Sequence, residues 1–219
     1  MYSDTPQVES IQAWNSPLFV SSNPDHEFLK EDLLNYIYRY QQTQQQAIAS
    51  EVAVNAKHQL FESKLCFLEA EEPAVMELRR MLEELLSAVA TEVNAPYWPE
   101  GAEGDAQIIE SWFHVTHNGG YHDIHSHPNC SWCGIYYLDP GECELGSRNG
   151  VNRFYDPRNN ADHYGDPGTA YLSQQGYWDF EPVEGQIVIF PSYLKHSALP
   201  YFGAKDRVVV AFNAVIDLV

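Results

Sequence analysis

From Ile108 onward the chain is built of short apolar segments separated by Gly, Pro, Asn and Asp, and this limits what it can fold into. The segments 108–115, 121–127, 132–138, 150–155, 186–190 and 208–216 are rich in Val, Ile, Tyr, Phe and Trp, which suit a pleated, half-buried surface. Strands at this spacing with polar turns predict an antiparallel barrel or jelly roll. Before them, Ser22-Asn23-Pro24 starts a helix whose expected apolar face is Phe28, Leu29, Leu33, Ile37 and Tyr40. A second helix opens at Glu71-Glu72-Pro73, with Leu78, Met81, Leu82, Leu85, Leu86 and Val89 at helical spacing, and stops at Asn94-Ala95-Pro96. That stripe reads as a face packed on the sheet. Residues 1–22 read as an extended arm, with Trp14, Leu18, Phe19 and Val20 available for packing, and the Gln-rich 41–46 as the end of the first helix. The expectation is one integrated, mainly β (α+β) domain: an arm and supporting helices over 1–107, packed outside a β core over 108–219.

Within that core, the stretch Tyr121–Leu138 places His125-Ser126-His127 just before a strongly apolar strand. In an extended strand residues two apart point the same way, about 7 Å apart, so two imidazoles could converge on one metal ion. A third ligand is available in His196, 69 residues after His127, behind an apolar strand and a proline turn. A lone buried histidine is more often a hydrogen-bonded core residue. The pair together with the distal histidine points instead to a metal site. Asp123 is an alternative carboxylate ligand, since residues 123, 125 and 127 share a face under the same period of two. His114, His117, His122 and His163 remain structural, substrate-contacting or exposed. Cys130-x-x-Cys133 could form a zinc knuckle with these histidines, but residues three apart in a strand face opposite ways, which would send the sulfurs apart.

With a net charge of −19 and twelve basic residues, the chain has little to neutralise phosphates, which argues against nucleic acid and against an anionic membrane. Neither a signal-peptide pattern nor an apolar run of membrane-spanning length occurs in the sequence. Four cysteines among 219 residues fit a reducing compartment. These features predict a soluble cytoplasmic protein, with a homodimer as the default for an oligomer.

Arg207 opens the last strand candidate, eleven residues after His196. If buried, its guanidinium needs an anion, and the fork suits a carboxylate. At this point the sequence resembles the iron(II)/2-oxoglutarate-dependent dioxygenases. The resemblance is carried by His125–Asn129 (HSHPN), Gly134–Leu138 (GIYYL), Asp156-Pro157-Arg158, Phe190–His196 (FPSYLKH) and Arg207–Asn213 (RVVVAFN), and covers roughly residues 108–219. It is similar to the prolyl hydroxylases, and more so to a bacterial and phage branch carrying all five motifs.

The resemblance implies a double-stranded β-helix of jelly-roll or cupin-like type, and a hydroxylase using Fe(II), O2 and the cosubstrate 2-oxoglutarate. His125, His127 and His196 would be the metal ligands, His127 standing where most of the superfamily has Asp or Glu. Arg207 would bind the far carboxylate of 2-oxoglutarate, Tyr137 would hydrogen-bond it, and Asn213 would line the pocket. The substrate, a small molecule or a peptide, is not named by any motif. Segment 141–180, with Arg148, Arg153, Tyr155, Arg158, Tyr164, Tyr171 and Trp178, is the candidate substrate loop. Other classes remain open at this level: a cupin-type three-histidine dioxygenase without 2-oxoglutarate, or a metal-binding protein without turnover.

Overall fold

A computed structural model describes residues 16–45, 57–158, 167–169 and 176–219. Among these residues nine strands and two long helices follow one another as β1 (Phe19–Ser22), α1 (His26–Gln45), β2 (Lys57–Glu62), α2 (Pro73–Asn94), β3 (Gly104–His125), β4 (Trp132–Asp139), β5 (Asn152–Tyr155), β6 (Tyr177–Phe180), β7 (Gln186–Pro191), β8 (His196–Tyr201) and β9 (Arg207–Leu218). Every strand pairing is antiparallel. The order is β1-β7-β4-β9-β3-β8-β5-β6, with β2 on β3 as well.

The 22-residue β3 organises this sheet. Its first part pairs with β9, from Gly104↔Leu218 to Thr116↔Arg207, and its end pairs with β8, from Gly120↔Tyr201 to His125↔His196. β8 and β9 thus follow one another along one edge of β3. Beyond them the sheet divides into two leaves, β9-β4-β7-β1 and β8-β5-β6. This is a jelly-roll, double-stranded β-helix core.

Alternation along the strands sorts side chains between two interiors. Val208, Val210 and Phe212 of β9 and Tyr136 and Leu138 of β4 face the helices, where they meet Leu33 and Ile37 of α1 and Leu78, Leu82 and Leu86 of α2. Val209 of β9, Cys133, Ile135 and Tyr137 of β4, Phe154 of β5 and Val188 and Phe190 of β7 form a second cluster between the leaves. Both faces of β4 and β9 are therefore covered, and their sequences read as unbroken apolar runs. Each fully buried leucine of the α2 stripe contributes about 1.5–3 kcal/mol through lost apolar exposure.

The helix punctuation works as the residues suggest. Asn23 Oδ1 accepts the backbone N–H of Asp25 at 2.9 Å, closing the turn before α1, and Pro73 occupies the first turn of α2. Phe28 departs from expectation: it is exposed, and the buried face of α1 runs through Leu33 and Ile37.

Several strands differ from the sequence reading. Segments 108–115 and 121–127 belong to the single strand β3, which runs through Gly119 at φ 82°. A Cβ at Gly120 would lie 2.6 Å from Gln59 O, so only glycine lets the strand pass this close to β2. β3 stops at His125, short of His127. β1, β2, β6 and β8 were not anticipated, and β1 and β2 mean that the first 107 residues supply strands as well as helices. Trp14, Gln46, His163, Tyr164 and Tyr171 lie outside the described residues.

Candidate metal centre

His125 and His196 are cross-strand neighbours at the end of β3 and the start of β8, with ring centroids 4.3 Å apart. His127 reaches them from the turn that follows β3. Its backbone N–H donates to Ser192 O at 3.1 Å, which ties this turn to the one leading into β8. Asn129 closes the turn in the left-handed region, φ 65°, which its short polar side chain tolerates. Trp112 lies against the His127 ring, with centroids 5.5 Å apart.

His127 Nε2 and His196 Nε2 are 3.3 Å apart, and one nitrogen from each of the three histidines lies within 4.8 Å of the others. Two imidazole nitrogens each about 2.0–2.1 Å from a common ion, at angles between octahedral and tetrahedral, would be about 2.8–3.4 Å apart. The His125 Nδ1 lies 2.7 Å from Asp123 O and the His196 Nδ1 lies 3.1 Å from Leu194 O. A carbonyl only accepts, so each Nδ1 carries the proton and each Nε2 presents its lone pair, as a metal ligand requires. Burial, reinforced by His125 and His114, holds His127 down at about 4, and burial beside His125 holds His196 well below the usual range. His127 and His196 are therefore neutral near pH 7 and need no proton released before a divalent ion binds.

The period-two argument does not describe how these groups meet. A register shift between His122 and His125 breaks the alternation, so His122 and His125 bring their rings to 4.0 Å while Asp123 is exposed. Asp123 serves the cluster through its backbone carbonyl, and among the described residues its carboxylate is not in the ligand group. The cysteine argument needs correction for a related reason. Cys130 precedes β4, so strand alternation does not govern it, and its sulfur lies 3.7 Å from that of Cys133.

Arg207 lines the same cavity as the triad, together with Asn152, Phe190 and Val209. It is only 2% exposed. Its Nη2 donates to Asn152 Oδ1 at 2.6 Å, and the Tyr137 hydroxyl donates to the same oxygen at 3.0 Å. The Tyr137 ring lies 5.8 Å from the guanidinium carbon, and burial pushes the Tyr137 phenol up, keeping it a donor. Arg207 Nε has no hydrogen-bond partner among the described residues. A buried cation held by a neutral amide and the Cys143 thiol, with a donor unused, fits a dianion's carboxylate.

Asn213 shares the Arg207 face of β9 but sits beyond the cavity-lining Ala211. Its Nδ2 donates to Glu110 Oε2 at 2.7 Å, and its Oδ1 accepts from Cys133 Sγ at 3.2 Å. Sequence reasoning did not single out Asn152, nor His114 and His122 as wall residues. The alternation Trp112, His114 against the core residues Phe113 and Val115 was the available signal for His114. His114 Nε2 contacts Glu62 Oε2 at 2.8 Å, and His117 Nδ1 contacts Asp206 Oδ1 at 2.7 Å. In the loop region Arg153 binds Asp179 through two bonds, at 2.6 and 2.8 Å, with Tyr177 stacked at 3.6 Å, and Arg158 folds onto Asp156. Tyr155 meets Ser197, whereas Trp178 is 62% exposed.

The fold is a jelly roll that brings a histidine cluster able to hold a metal ion and a buried arginine to one cavity. Residues 110–213 match the family model described as "Putative 2OG-Fe(II) oxygenase". Over these residues, a little under half of the chain, the sequence is similar to the Fe(II)/2-oxoglutarate oxygenases. Solved structures with the same fold include a Pseudomonas putida prolyl-4-hydroxylase, 17% identical with a TM-score of 0.56 over 90% of this chain and 91% of that one. A Trichoplax adhaerens prolyl hydroxylase in complex with a hypoxia-inducible-factor peptide is 13% identical, TM-score 0.55, over 90% and 83%. HygX from Streptomyces hygroscopicus, with nickel, 2-oxoglutarate and hygromycin B bound, is 12% identical, TM-score 0.58, over 91% and 82%. No curated protein matches the sequence.

Proposed function

We propose that His125, His127 and His196 hold the Fe(II), that Arg207 receives the far carboxylate of 2-oxoglutarate, and that the outcome is hydroxylation of a small-molecule or peptide substrate. The observation that carries this reading is the buried Arg207, with an unused Nε and no acidic partner among the described residues, in the cavity of the histidine triad.

Bound there, the iron and 2-oxoglutarate supply oxidative chemistry: O2 is consumed, 2-oxoglutarate yields succinate and CO2, and an oxygen atom goes to the substrate. The chain's own contribution is placement and exclusion of water. Asn152 Oδ1 fixes the guanidinium, and Phe190, Val209 and Ala211 keep the surroundings apolar, which strengthens the attraction of Arg207 for an anion. Three neutral imidazoles leave the positive charge of the metal uncompensated. Together with Arg207 this favours a doubly charged cosubstrate. Four free thiols support a cytoplasmic location.

The test is release of succinate from 2-oxoglutarate by the iron-loaded protein in air. Succinate above a metal-free control, absent in Arg207→Ala at the same 2-oxoglutarate concentration, is the expected result. Iron-loaded wild type that releases none would move the protein to an oxygenase chemistry without 2-oxoglutarate.

A further inference from the structure

We propose that Cys130 and Cys133 form a reversible disulfide that weakens metal binding through the turn carrying His127. The two sulfurs are 3.7 Å apart, and among the described residues no third ligating side chain joins them to make a metal site. Two thiols this close, with no further ligating side chain beside them among the described residues, suit a redox pair. The roles follow from access: Cys130 is half-buried, whereas Cys133 is 1% exposed and points into the cavity wall.

The oxidant is a hydroperoxide. The sulfur of Cys130 attacks one peroxide oxygen, the O–O bond breaks, and an alcohol or water leaves with Cys130 as its sulfenic acid. The Cys133 sulfur then attacks that sulfur, the S–S bond forms, the S–O bond breaks, and the oxygen leaves as water. Two thiols are oxidised and one peroxide is reduced. A dithiol carrier reverses the step.

Closing the bond brings the sulfurs from 3.7 Å to about 2.05 Å. Pairing on both sides, Cys133↔Phe190 and Cys133↔Asn213, holds the β4 backbone at Cys133, so backbone adjustment there is small. The backbone adjustment falls on Cys130, which precedes β4 in the turn that follows His127. This turn is held by Ser192 Oγ donating to Cys130 O at 2.7 Å and by Ser131 N donating to Ala214 O at 3.0 Å. Displacing it shifts His127 against His196. The disulfide also removes the proton that Cys133 donates to Asn213 Oδ1. The effect on metal affinity rests on His127 being a ligand, as proposed above.

The test treats the metal-free 219-residue chain, carrying Cys66→Ser to suppress cross-linking between molecules, with hydrogen peroxide. Peptide mapping without reductant should find Cys130 joined to Cys133, a loss of about 2 Da reversed by dithiothreitol. Optical titration with Co(II) should show binding weakened about tenfold or more in the oxidised protein and restored on reduction, with Cys130→Ser immune to peroxide. Peroxide that converts Cys130 to sulfinic or sulfonic acid without the cross-link overturns the pair. A cross-linked protein with unchanged Co(II) affinity overturns the coupling. Reduced protein that binds no Co(II) refutes the metal-site reading and the coupling with it, while the mapping still decides the disulfide.

Discussion

Replacing Arg207 by methionine should stabilise the ligand-free protein while weakening its hold on 2-oxoglutarate. Burying an ion costs several kcal/mol after relaxation. Against this, the structure sets a charged hydrogen bond to Asn152, which returns about 1.5–3 kcal/mol, and a weaker one to the Cys143 thiol. The Tyr137 ring at 5.8 Å adds about 1–2 kcal/mol. The unused Nε adds nothing. Methionine of similar length fills the space, and Asn152 Oδ1 keeps its bond from Tyr137, so a net gain of about 1–3 kcal/mol is expected. For a domain of this size each kcal/mol raises Tm by about 2–4 °C. Losing one partner of a buried charge pair weakens 2-oxoglutarate binding by about 2–5 kcal/mol, roughly 30- to 5,000-fold. Thermal unfolding of the metal-free protein, and of the manganese-loaded protein with added 2-oxoglutarate, reads both effects. A variant that melts several degrees below wild type without ligand would refute the reasoning, because Arg207 would then be part of the frame and not held for an anion.

Two further outcomes follow from the same geometry. Gly134→Ala should lower Tm by about 2–12 °C by calorimetry, since the added Cβ would meet the Phe212 ring at 2.1 Å in a core closed by the helices, and overpacking there costs about 1–3 kcal/mol; an unchanged Tm would show that the ring can move aside. The metal-free protein should be most stable above about pH 6.5 and lose stability as pH falls toward 4, because the unfolded chain takes up protons at His127 and His196 while burial keeps both neutral in the fold. Melting curves from pH 8 to 5 test this, and His127→Gln should flatten part of the slope.

The sequence made the general plan legible because β4, β7 and β9 are covered on both faces and read as apolar runs, and because the α2 stripe has an unmistakable period. β8, HSALPY, was missed: it contains a proline and its first residue is a histidine that belongs to the site. The triad itself was legible from residue type and spacing, but the geometry that joins it was not. Strand alternation assumes an unbroken register, and the shift between His122 and His125 is set by pairing with β8, which no local sequence pattern announces. The same assumption separated Cys130 from Cys133. Asn152 was invisible because its importance comes from lying between Tyr137 and Arg207, residues far from it in sequence.

The most direct test of the central claim is an anaerobic optical titration of the metal-free protein with Fe(II) and then 2-oxoglutarate, repeated with His127→Ala. The account predicts a visible charge-transfer band that requires both additions in wild type and is lost in the variant. Iron binding with no band on adding 2-oxoglutarate would contradict the cosubstrate, and an undiminished band in His127→Ala would contradict the third histidine.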